Sequence, residues 1–158
     1  NWETYDWQTN TQISGGFIEG GGGPTPFSEP ETRAMRDWLL ARKLEHSAGL
    51  TIVYLHAQYP PFGMVIPGSV LSNGQTLAHT ASRRVGQTFA NAAGFGYQNL
   101  WGGGYDVTGD ATTWAVAQGQ MQAITVEFPV RTPLTDEQNA RVRAGFEAIL
   151  VLLAAGAP

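Results

Sequence analysis

The chain has 158 residues, 42% of them hydrophobic and 11% aromatic, which suits one domain with a real core and excludes a disordered chain. Thirteen acidic against nine basic side chains give a formal charge of −4, so no nucleic-acid partner is expected. The absence of cysteine excludes disulfide scaffolds, thiolate-bound zinc and cysteine nucleophiles, and no apolar run reaches the ~18 residues of a membrane span, so no membrane partner is expected.

Residues 1–27 read as a long surface loop: a polar and aromatic start, then Gly15-Gly16, Gly20 to Gly23, Pro24 and Pro26. A helix is predicted next. Ser28 and Glu31 have the spacing of a capping box, Pro30 falls in the first turn, and Met35, Trp38 and Leu39 line one face. The β-branched run Leu50 to Leu55 reads as a strand buried on both faces of a parallel sheet, ending at His56. From Ala57 to Asn73 the chain reads as loop, with Met64-Val65-Ile66 as a short extended piece. A second helix is predicted over His79 to Ala93, with Leu77, Val85, Phe89 and Ala92 inward. A Gly- and aromatic-rich loop leads to a short helix over Thr108 to Gln118, closed by Gly119. Ala123 to Phe128 forms a second buried strand, stopped by Pro129. Thr135 caps a final helix with Asp136 and Glu137 at its positive end, closed by Ile149, Leu150, Leu152 and Leu153. The order of elements defines an α/β fold with a parallel sheet, without repeats or linkers.

Two polar residues interrupt this pattern. His56 ends the first buried strand, and Glu127 lies inside the second. In open α/β sheets ligands bind at the carboxyl ends of strands. A lone carboxylate in a buried strand costs several kcal/mol unless it is paired, ligated or kept protonated. Glu127 is therefore a candidate general base, with a structural ion pair as the alternative. His56 is a candidate ligand, with a satisfied core histidine as the alternative. Catalytic zinc usually takes three protein ligands, and the sequence contains neither His-x-x-Glu nor His-Glu-x-x-His. His46 and His79 lie in polar stretches and read as surface residues.

Four blocks resemble the C-terminal half of the zinc carboxypeptidase family. They are Phe27-Ser28-Glu29-Pro30-Glu31-Thr32-Arg33-Ala34-Met35, Leu55-His56, Tyr105 with Trp114 nine residues on, and Thr125-Val126-Glu127-Phe128. The spacing of 22 from Tyr105 to Glu127 also matches, and Asn1-Trp2 resembles the end of the family's Asn-Arg-Asn-Trp segment. The resemblance implies a three-layer fold with a mostly parallel twisted sheet, of which residues 1–158 are the C-terminal part. It further implies zinc as cofactor, with His56 as one ligand and Glu127 as the general base. Tyr105 would close over a peptide substrate, Thr112 would line the specificity pocket, and Asn1 would contact substrate. A neutral hydroxyl at Thr112 implies a pocket that does not select a basic side chain.

Some residues depart from the family. The first two zinc ligands and the arginines that grip the substrate carboxylate belong before Asn1. Ala57 stands where many relatives have Ser, Thr113 where many have Asp, and Tyr59-Pro60-Pro61-Phe62 lengthens the loop after His56. The expected partner is accordingly an N-terminal half of the same enzyme, and the expected location is secreted or periplasmic. Two other readings stay open: a non-catalytic interaction domain using the aromatic residues Trp2, Tyr5, Trp7 and Phe17, and a peptidase of peptidoglycan stem peptides.

Overall fold

In the computed structural model, residues 2–4, 12–13, 16–17, 24–46, 49–57, 59–102, 107, 109–130 and 132–156 are described. In chain order the elements are β1 (Gln12–Ile13), β2 (Gly16–Phe17), α1 (Pro30–Glu45), β3 (Thr51–Ala57), β4 (Met64–Pro67), β5 (Ser69–Ser72), β6 (Gln75–Ala78), α2 (Thr80–Ala93), β7 (Gly96–Tyr97), α3 (Ala111–Ala117), β8 (Gln122–Phe128) and α4 (Asp136–Ala154).

The main sheet has the order β3-β8-β4-β7. β3 runs parallel to β8 and β4 parallel to β7, whereas β4 is antiparallel to β8. The sheet is thus mostly parallel and mixed. Alternation along the strands sends side chains to two faces. On one face Ile52, Tyr54 and Ala123 meet Leu39 of α1 and Trp114, Ala115 and Val116 of α3. On the other, Val53, Ile124 and Val126 meet Val85, Phe89 and Ala90 of α2 and Val142, Phe146 and Ile149 of α4. Helices therefore cover both faces, giving the expected three layers.

β8 matches the expectation of a buried strand, because β3 and β4 flank it on either side. β3 does not. It is an edge strand with β8 as its one neighbour among the described residues, and Leu55 is 54% exposed. An apolar, β-branched run reports affinity for a sheet, not the place within it.

The expected capping box of α1 is absent. Glu29 is the N-cap and makes no side-chain cap bond, with Pro30 directly behind it. Ser28 Oγ instead donates to Glu29 Oε1, and Arg33 holds the carbonyls of Phe27 and Ser28. Of the expected inner face of α1 only Leu39 is buried; Met35 is 44% and Trp38 56% exposed.

The extended piece expected at Met64-Val65-Ile66 is β4, but the rest of the stretch expected as loop after Ala57 leads into a β5–β6 hairpin. Asn73 and Gly74 turn it, both at positive φ (51° and 75°). This is the backbone that an Asn-Gly pair favours between two strands. Leu77 consequently belongs to β6 and is exposed rather than facing inward from α2. The inner face of α2 is built by Val85, Phe89 and Ala93 with Ser82, Gly86 and Ala90, while Ala92 is exposed. The first residues are not all surface either. Trp2 is buried against Phe27 and Trp114, with ring centroids 5.6 and 4.9 Å away.

At the start of α4 the capping box of Thr135 and Gln138 is formed. Leu150 at its other end is exposed rather than packed. Arg141 of α4 donates to the carbonyls of Ala93 and Gly94, tying it to the end of α2.

His79, expected as a surface residue, is the N-cap of α2. Its Nδ1 accepts from Ser82 Oγ at 2.8 Å, and Ser82 Oγ accepts the Ala123 N–H at 2.9 Å from β8. Burial holds the imidazole below its usual 6.5. A proton on Nδ1 would remove the acceptor, so the folded chain resists protonation that the unfolded chain accepts at 6.5. Stability from His79 should be complete above that value and be lost as pH falls below it toward the folded value. His79→Asn keeps a good cap without a titrating group. Thermal unfolding followed from neutral to mildly acidic pH should fall less steeply for this variant than for the natural chain.

Candidate active site

The parallel register of β3 and β8 pairs Tyr54 with Thr125 and His56 with Glu127. Two residues along a strand bring a side chain back to the same face. Tyr54 and His56 on β3 and Thr125 and Glu127 on β8 all line one cleft of about 320 Å³. The site sits at the carboxyl ends of these strands, as the rule for open sheets requires.

The sheet brings the two main candidates into contact. His56 Nδ1 lies 3.1 Å from each carboxylate oxygen of Glu127. The pair is lopsided: the Glu127 side chain is 8% exposed and that of His56 70%. Desolvation of the carboxylate is offset by an imidazole whose remaining surface faces solvent. A carboxylate at the foot of a cleft, with an accessible imidazole above it, can take and return protons.

Two glycines permit close backbone approaches, one to Glu127 and one to α3. A side chain at Gly63, where φ is +79°, would strike the Glu127 carbonyl and the Phe95 ring at 2.8 Å. One at Gly68 would strike Val116 and the Thr112 carbonyl of α3. Through Gly68, the link between β4 and β5 holds α3 against the sheet.

Thr112 enters the same cleft from α3, which Asp110 caps by accepting the Thr113 N–H at 2.9 Å. Its hydroxyl bonds that of Thr125. Thr113 lies beside it but bonds Ser69 Oγ at 3.2 Å. Tyr105 and Asn1, the other expected site residues, lie outside the described residues.

The sequence reading missed Tyr54, Thr125 and Asp110 as cleft residues. The signal was available for the first two, because each precedes a singled-out residue by two positions on a strand. Burial, and to a smaller degree the Asp110 carboxylate, pushes the Tyr54 phenol above its usual 10.0. Its hydroxyl is buried without a hydrogen-bond partner among the described residues.

His56 offers one imidazole, but among the described residues no group of three His, Asp or Glu stands close enough to hold a metal ion. These residues fit one position of a zinc ligand set and do not make the set.

The three-layer α/β fold thus places a histidine–carboxylate pair at the carboxyl ends of two parallel strands. The sequence profile of the zinc carboxypeptidase family matches residues 1–142, and the chain belongs to that family. No individual curated protein matches the chain.

Proposed function

We propose that this chain is the part of a zinc metallocarboxypeptidase that carries the proton-transferring carboxylate and one metal ligand, and that it hydrolyses C-terminal peptide bonds when a second segment supplies the remaining ligands. The observation that carries this reading is the His56–Glu127 pair lining the cleft. Glu127 accepts a proton from the attacking water as its oxygen bonds to the scissile carbon. As the C–N bond breaks, the same proton passes to the leaving amine. His56 would be the imidazole ligand. A bound zinc ion would lower the pKa of a water molecule and polarise a carbonyl. Thr112 and Thr125 would border the side chain of the terminal residue, and Tyr105 and Asn1 would contact substrate.

The need for a second segment is supported by the surface as well as by the donor count. Among the described residues β3 has no strand on its outer side, Leu55 on it is exposed, and α1 exposes Met35 and Trp38. Open edges and exposed apolar side chains favour pairing with another polypeptide. We propose the N-terminal half of the same enzyme as that polypeptide. A non-catalytic interaction domain is the second reading, favoured by the lack of a three-ligand group among the described residues.

Zinc content and intact mass of the purified native material, taken together, test the first reading. It requires about one zinc per molecule and a further polypeptide segment, attached or co-purifying. A lone 158-residue species that binds no zinc would favour the second.

A further inference from the structure

The buried hydroxyl of Tyr54 plays no part in the proton transfer proposed above and has no hydrogen-bond partner among the described residues. We propose that it is a specificity determinant, and that the cleft selects a peptide whose terminal side chain ends in a carboxamide. This rests on the reading of the cleft as a peptide site.

Tyr54 lies two residues before His56 on the same face of β3, so its Cα is about 7 Å back along the strand from that of His56. Leaving a polar group buried and unpaired is costly, and a ligand that pairs it recovers that cost. The nearby hydroxyls of Thr112 and Thr125 bond each other. Asp110 adds a carboxylate to the lining.

The chemistry of the partner follows from what these groups can exchange. A neutral phenol donates one O–H, and a carboxylate only accepts. A carboxamide oxygen satisfies the phenol while its NH2 donates toward the carboxylate and the threonine oxygens. A side-chain carboxylate would meet Asp110 with like charge. An ammonium group has no acceptor for the phenol, and an aliphatic side chain leaves the phenol unpaired.

Tyr54→Phe removes one oxygen and tests this directly. In the absence of ligand the variant should unfold at the same temperature as the natural chain or a higher one, because an unpaired buried group is deleted. A clearly lower unfolding temperature would mean that the hydroxyl has a structural partner, which overturns the proposal. Binding at millimolar concentration, followed by NMR shifts, would compare N-benzoylglycyl dipeptides ending in glutamine, leucine, lysine or glutamate. The natural chain should prefer the glutamine peptide by about tenfold, and the Phe variant should lose that preference while still binding the leucine peptide. Equal binding of the four peptides, a preference for the lysine or glutamate peptide, or a glutamine preference that survives Tyr54→Phe would overturn the inference while leaving the peptide-site reading standing. Binding of none of the four would overturn both.

Discussion

Glu127→Gln should lower peptide hydrolysis by the assembled enzyme about 10²–10⁴-fold, the range lost when a positioned general base is removed. The substitution keeps size and shape, and the amide can still bond His56 Nδ1, now 3.1 Å from both carboxylate oxygens. What it removes is the capacity to hold a proton between the attack of water and departure of the amine. Zinc content and unfolding temperature should change little, because one neutral hydrogen bond replaces a charge-assisted one at a half-open site. The measurement is initial rate at saturating peptide for both proteins, alongside metal analysis. A rate within a few-fold of the natural enzyme would mean that another group takes the proton. Loss of metal together with loss of rate would mean that Glu127 serves mainly to orient His56.

The second large effect lies on the opposite face of the sheet. Phe89 is fully buried, with Phe95 and Phe146 edge-on to it at 6.1 and 5.3 Å between centroids. Gly145 of α4 presents bare backbone to this ring, since a side chain there would come within 2.8 Å of it. Phe89→Ala should therefore leave a cavity that neither helix can collapse into, at a cost of about 3–5 kcal/mol. For a domain of this size that lowers the unfolding temperature by about 6–20 °C. Calorimetry or thermal circular dichroism would read it directly. A loss below about 1 kcal/mol would show that α2 and α4 repack around the gap, against the close-packed contact described above.

Much of the architecture was legible because its elements are locally marked. α4 has its cap at Thr135, and β8 is an apolar run ended by Pro129, so both fall where the pattern puts them. The sheet order was not legible. β3 and β8 have the same kind of sequence, yet one is central and the other an edge, which depends on long-range pairing. Asn73-Gly74 was a local signal for a hairpin, obscured by the prolines and glycines around it. Within the site, His56 and Glu127 stood out as polar residues among apolar neighbours. Tyr54 did not, because an aromatic residue in a strand is ordinary there. The burial of its hydroxyl without a partner among the described residues sets it apart.

His56 and Glu127 face each other as direct partners in a parallel ladder, and no loop joins them locally. Their separation is therefore inherited from the spacing of strands, about 4.8 Å, and is not tuned by the conformation of any one turn. A site of this construction behaves like two teeth on meshed gears. Insertions or deletions in the surrounding loops can reshape what enters the cleft without moving the imidazole relative to the carboxylate. A slip of β3 by a single position would carry His56 to the other side of the sheet. The pair should thus be lost or kept as a whole, with few intermediate arrangements, so chemistry and selectivity can change independently in this scaffold.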